Sequence, residues 1–116
     1  MGDRSIISRA IVAVVENPII QVNVFTRNLD VAHFANILNL ENGRSSRSDL
    51  KVCAYNIFKV VVNEEAMNIL NESNPNVIGY SSTKLWKRAP QHVKNEYRTC
   101  AERLEAIIPK RRFQKI

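Results

Sequence analysis

The feature that most constrains this chain is a run of apolar side chains near its C-terminus spaced by three and four: Val93, Tyr97, Cys100, Ala101, Leu104 and Ile108. At 3.6 residues per turn these positions share one face of an α-helix, and the alternation of a strand would split them between two faces. Pro90 suits the first turn of that helix, where its missing N–H costs nothing, and Pro109 stops it. A helix with one apolar face has to bury that face, so upstream segments must cover it.

Two upstream segments have the right pattern. A second helix is predicted from about Asn76, read as its cap, to about Arg88, with Ile78, Leu85 and Trp86 roughly on one side. A first helix is predicted from about Val52 to Leu70, because Tyr55, Phe58, Val62, Ala66 and Ile69 recur at helical spacing. Val60, Val61 and Val62 argue the other way, since a branched Cβ crowds the preceding helical turn; a strand is the competing reading there. Between the two helices lies "NESNPN", where Pro75 disfavours helical geometry at Asn74. Trp86 and Tyr97 then face inward across the Pro90 turn and fill the junction of three short helices. Lys84, Lys87, Arg88, Lys94 and Arg98 decorate the outer faces.

Upstream of a polar linker, "ENGRSSRSD" (Glu41–Asp49), the signals weaken. Residues 1–45 read as an N-terminal extension, weakly structured or disordered. Within it, Ile19–Phe25 alternates as a strand would, and Leu29, Ala32, His33, Asn36, Ile37 and Leu40 have helical spacing. "AIVAVV" (Ala10–Val15) is too short to span a membrane and a little short for a secretion-signal core, and Glu16 and Asn17 follow it in place of a cleavage site. The length of 116 residues fits one domain with a tail.

Charge is placed unevenly. The net +6 lies entirely beyond residue 45, and residues 84–116 carry ten lysines and arginines against Glu96, Glu102 and Glu105. Such asymmetry fits an anionic partner, nucleic acid or an acidic membrane surface. With only His33 and His92, no nucleophile placed beside a base and no glycine-rich phosphate loop, no catalytic residues and no cofactor are expected. Cys53 and Cys100 stand alone, far apart, and read as reduced thiols, so no metal site is expected either. Glutamates interleave with the cations of 91–108, which argues against a membrane-surface helix.

At this point "RSDLKVCAYNIF" followed by "TKLWKRAPQHVKNEYRTCAERLEA" resembles the HMG box, closest to the fungal mating-type and sequence-specific boxes, over about residues 47–112. Ala54, Tyr55 and Phe58 match the family's first helix. Leu85, Trp86, Lys87, Pro90, Lys94, Glu96, Tyr97, Ala101 and Glu102 match its second block closely. The resemblance implies an all-α, L-shaped three-helix domain over 46–112, with residues 113–116 as a tail. It also implies a nuclear protein of transcription regulation that binds double-stranded DNA through the minor groove and is able to bend it, with another transcription factor as a further partner. Carried over residue by residue, phosphates would meet Lys84, Lys87, Arg88, Lys94 and the tail Lys110, Arg111 and Arg112. Arg47, Lys51, Cys53, Asn56, Ile57 and Lys59 would lie nearest the groove. The basic "PKRRFQK" resembles a nuclear import signal.

The departures fall at the contacts. Cys53 stands where the family has a base-contacting Asn, and Thr83 where it has Gly. Asn56 occupies the place of the apolar wedge, unless the neighbouring Ile57 substitutes, and Asp49 interrupts the basic strand. A wedge unstacks a base step at a cost of a few kcal/mol that wider contact offsets, and an amide does this poorly. The alternative reading is therefore a divergent box serving as a protein-interaction module, with residues 1–45 mediating dimerisation or recruiting a partner.

Overall fold

The computed structural model describes residues 2–37 and 53–107, and every regular element within them is helical. In chain order these are α1 (Gly2–Val15), α2 (Pro18–Phe25), α3 (Val31–Ile37), α4 (Ala54–Leu70), α5 (Pro75–Arg88) and α6 (Gln91–Ile107). The three helices expected from the C-terminal periodicity are α4, α5 and α6. The extension expected to be weakly structured instead supplies three more, and Val14, Val15, Ile20, Val24 and Phe34 from it are fully or almost fully buried. These side chains outweigh the ordering entropy because each finds an apolar partner surface on the other helices.

The predicted strand at Ile19–Phe25 is α2. Asn17 Oδ1 accepts from the N–H groups of Ile19 and Ile20 at 2.9 and 3.0 Å, and Pro18 takes the first helical position. An Asn–Pro start is a stronger instruction than seven residues of loose alternation. Ile20 and Val24, one turn apart, are its buried pair. The competing strand at Val60–Val62 is also helix. Val61 and Val62 are both fully buried, and that burial exceeds the few tenths of a kcal/mol that a β-branched residue costs a helix.

α4 and α5 form an antiparallel hairpin. Asn71 ends α4 in the left-handed conformation (φ 56°, ψ 36°), which asparagine tolerates better than most residues, and its N–H donates to the Met67 carbonyl at 3.0 Å. α5 starts two residues earlier than expected: Asn74, not Asn76, is the cap, and its Oδ1 accepts from the Asn76 N–H at 2.8 Å with Pro75 at the first helical position. The extended ψ of 122° at Asn74 is what a following proline demands. Pro90 acts the same way on Ala89 and ends α5.

α4 lies at the centre, packed on α2, α5 and α6; α1 lies against α5, and α3 against α6. The aromatic junction forms, with Phe58 and not Trp86 as its buried middle. Phe58 meets Trp86 edge-on at 4.9 Å and Tyr97 at 5.1 Å, and Phe25 stacks on it at 6.4 Å. Trp86 is only partly buried. Tyr97 is buried and its hydroxyl donates to the Val24 carbonyl of α2 at 2.7 Å. That carbonyl belongs to the last turn of α2, where no intrahelical donor is available.

No single helix among the described residues is long and apolar enough to cross a membrane. The apolar segments Ile6–Val15 and Pro18–Phe25 are bent 56° from each other, and both send side chains into the common core.

Candidate nucleic-acid interface

The acids of α4 are held by residues of the N-terminal segment. On the side where α2 and α3 dock, Glu64 and Glu65 of α4 are both taken by Arg27, at 2.7 and 3.2 Å. Glu64 also meets His33 Nε2 at 3.0 Å, and Glu65 accepts from Asn23 at 2.9 Å. These groups sit partly out of water, where a two-carboxylate clamp on one guanidinium is worth more than an isolated surface pair. Glu96 of α6 faces the same side, in a cleft of about 520 Å³ between the α2–α3 connection and α6 that also holds His92, Thr99, Cys100 and Arg103. Burial pushes the Cys100 thiol up from its ordinary pKa, so it is an inert packing group. Cys53 is exposed at the start of α4.

Cations cluster in sequence at the end of α5 and the start of α6. Lys84, Lys87 and Arg88 occupy the last turns of α5 and are exposed. Their place at a helix C-terminus, where the carbonyl ends of the peptide dipoles gather, favours positive charge with or without a ligand. Arg88 pairs with Glu16 of α1 at 2.9 Å, both about half exposed, a contact worth about 0–1 kcal/mol. Lys94 Nζ lies 5.7 Å from the centroid of the Trp86 ring, a cation–π contact that ties α6 to α5. Arg98 follows Lys94 by one turn and donates to Asn95 at 3.0 Å. Glu102 and Glu105 come next, so the positive character fades along α6.

The residues expected at the groove separate. Lys59 is exposed and Asn56 half-buried, and their spacing puts both on the outer face of α4 with Asn63 and Met67. Ile57 is fully buried in the core. The expectation that Ile57 lies near the bases is therefore corrected, and with it the exception in which it replaces the wedge: a side chain one residue from Asn56 points about 100° away around the helix, here toward the core. Arg47, Lys51, Lys110, Arg111 and Arg112 lie outside the described residues. Of the remaining expected contacts, Lys84, Lys87 and Arg88 lie on the last turns of α5, Lys94 on the first turn of α6 and Lys59 on α4.

Two features of α5 were missed in the sequence reading. Tyr55 of α4 reaches Thr83 of α5, hydroxyl to hydroxyl at 2.9 Å, and meets Trp86 edge-on at 6.2 Å. Thr83 in turn donates to the Gly79 carbonyl at 3.1 Å. Tyr80 is 61% exposed, a large aromatic set on the outer face of α5. The signal for it was its helical offset from Ile78 and Leu85, which turns it away from the buried face. Comparison with family models, with characterised proteins and with solved structures finds no match to this chain.

Proposed function

We propose that this chain is a double-stranded DNA-binding protein of transcription regulation, working as a divergent HMG-like box formed by α4, α5 and α6 with α1 to α3 as a buttress. The observation that carries the reading is the charge left over at the surface. Arg27 and His33 engage the acids of α4, while Lys59, Lys84 and Lys87 are exposed with no acid paired to them among the described residues. A polyanion meeting those cations releases its counterions, so affinity falls steeply with salt. The L-shaped arrangement, the minor groove as target and nuclear residence belong to the same proposal and come from the resemblance.

Asn56 marks how such a box would differ from strongly bending relatives: with Ile57 in the core, no apolar side chain replaces the wedge at that place. The protein would bind with little bending. Gel-shift titration with four-way-junction and A/T-rich duplex DNA across a salt series tests the reading; absence of a complex even at low salt rejects it. Asn56→Ile is expected to raise both affinity and bending, and an unchanged or weaker complex contradicts the assigned wedge position.

A second reading, a protein-interaction module, is favoured by one observation. Ile6, Val12, Ile19 and Val22 of α1 and α2 are all more than half exposed. Loss of solution self-association or partner capture on Ile19→Lys and Val22→Lys, with no DNA complex in the unaltered chain, would establish it instead.

A further inference from the structure

Gly79 and Tyr80 sit side by side in the middle of α5, and neither is explained by the packing of the molecule. A glycine inside a helix is destabilising relative to alanine. That cost is accepted where a Cβ would collide with a neighbour, yet a Cβ built at Gly79 meets nothing within 4 Å. The glycine therefore leaves the helix backbone bare toward open space. Tyr80, next to it, exposes 61% of its surface, and among the described residues its hydroxyl makes no hydrogen bond. By helical spacing, Tyr80, Lys84 and Lys87 form one exposed stripe, with Thr83 beside it one turn from Gly79. An aromatic ring beside a bare backbone in a row of lysines matches a partner that is both anionic and flat-faced.

We infer that Gly79 and Tyr80 form a contact point for duplex DNA, resting on the function proposed above: the strand backbone approaches α5 at Gly79, and the Tyr80 ring packs on a deoxyribose face while Lys84 and Lys87 hold the flanking phosphates. The lysines fix position and affinity without reading sequence. The ring adds a contact that does not depend on counterion release, because an uncharged aromatic displaces no bound cation.

The two kinds of contact separate in one experiment. The full chain is titrated onto a fluorescein-labelled A/T-rich duplex by anisotropy at several salt concentrations, beside Tyr80→Ala, Tyr80→Phe, Gly79→Ala and the double variant K84A/K87A. Tyr80→Ala weakens binding roughly tenfold with the salt slope unchanged, and Tyr80→Phe stays near the unaltered affinity. K84A/K87A lowers the slope by about two. Gly79→Ala raises the thermal midpoint by roughly 4 °C while weakening the complex, a pairing of opposite signs that a purely structural glycine does not give. Unaltered affinity in both Tyr80→Ala and Gly79→Ala, with K84A/K87A still impaired, overturns the contact point and leaves DNA binding standing. A Tyr80→Phe variant as weak as Tyr80→Ala contradicts a ring contact. Failure of the unaltered chain to bind removes the functional reading and this inference with it.

Discussion

Tyr97 carries more of this structure than its place in a helical repeat suggests. Its ring fills the junction beside Phe58, and its hydroxyl satisfies a carbonyl at the end of α2, so one side chain joins α6 to the N-terminal helices. Tyr97→Phe keeps the ring and strands the Val24 carbonyl, which should cost about 1–2 kcal/mol in denaturant unfolding. Burial raises the phenol well above its ordinary pKa. A group held protonated in the folded state contributes its stability below the unfolded pKa near 10, and loses it as pH climbs toward the higher folded value. Stability should therefore fall above about pH 10 more steeply in the unaltered chain than in Tyr97→Phe, and parallel curves would contradict the buried bond. Ser81 and Ser82 give the opposite sign. Both are fully buried with hydroxyls that find no hydrogen-bond partner among the described residues, on the helix that α1 and α4 flank. Their small size lets neighbouring helices approach, and alanine keeps that size without the stranded hydroxyl. Ser82→Ala should stabilise the fold by about 0.5–1 kcal/mol, read from the urea midpoint.

At the scale of elements, the helices differ in how openly they are written. α6 was legible because its apolar positions keep a strict period and prolines bracket it. α4 was legible in its extent but ambiguous at its valines, since local preference and tertiary burial oppose each other there and only the fold decides between them. α2 was misread because seven apolar-rich residues fit either period; the decisive Asn17–Pro18 start is a two-residue signal that a pattern count passes over. The docking of α1 on α5 and α3 on α6 was not legible at all, because it depends on long-range fit: Phe34 is fully buried, while nothing in "VAHFANI" says against what. Within the candidate site, the cations of α5 and α6 were legible as a group from their spacing beyond the buried stripe. The burial of Ile57 followed from the same spacing, had the core face been fixed at Phe58 and Val61. Tyr80 and Gly79 escaped because attention went to the buried stripe, although the offset of Tyr80 from Ile78 and Leu85 marks it as outward-facing. An element-level test follows from α3, whose hold on the core centres on one ring. Phe34→Ala should cost about 3–5 kcal/mol and free α3 from α6, detectable as faster amide exchange over residues 31–37.

For the whole molecule, the six described helices form one core and not a box with a loose leader. Val14, Val15, Ile20, Val24 and Phe34 cover α4, α5 and α6 from one side, and the Arg27 clamp removes two carboxylates from the surface. A chain beginning at residue 46 would expose that apolar surface and lose the acceptor of Tyr97; its thermal transition should be lower and broader than that of the full chain. The same arrangement leaves Lys59, Lys84 and Lys87 uncovered, while Arg88 reaches Glu16 of α1.

The claim that these uncovered cations are where a polyanion binds is tested most directly by titrating the isotopically labelled full chain with an A/T-rich DNA duplex and following its amide resonances. The account predicts salt-sensitive shifts concentrated at Asn56, Lys59, Gly79 to Arg88 and Lys94, with the α2–α3 side quiet. Shifts confined to α1, α2 and α3, or no shifts at low salt, would contradict it.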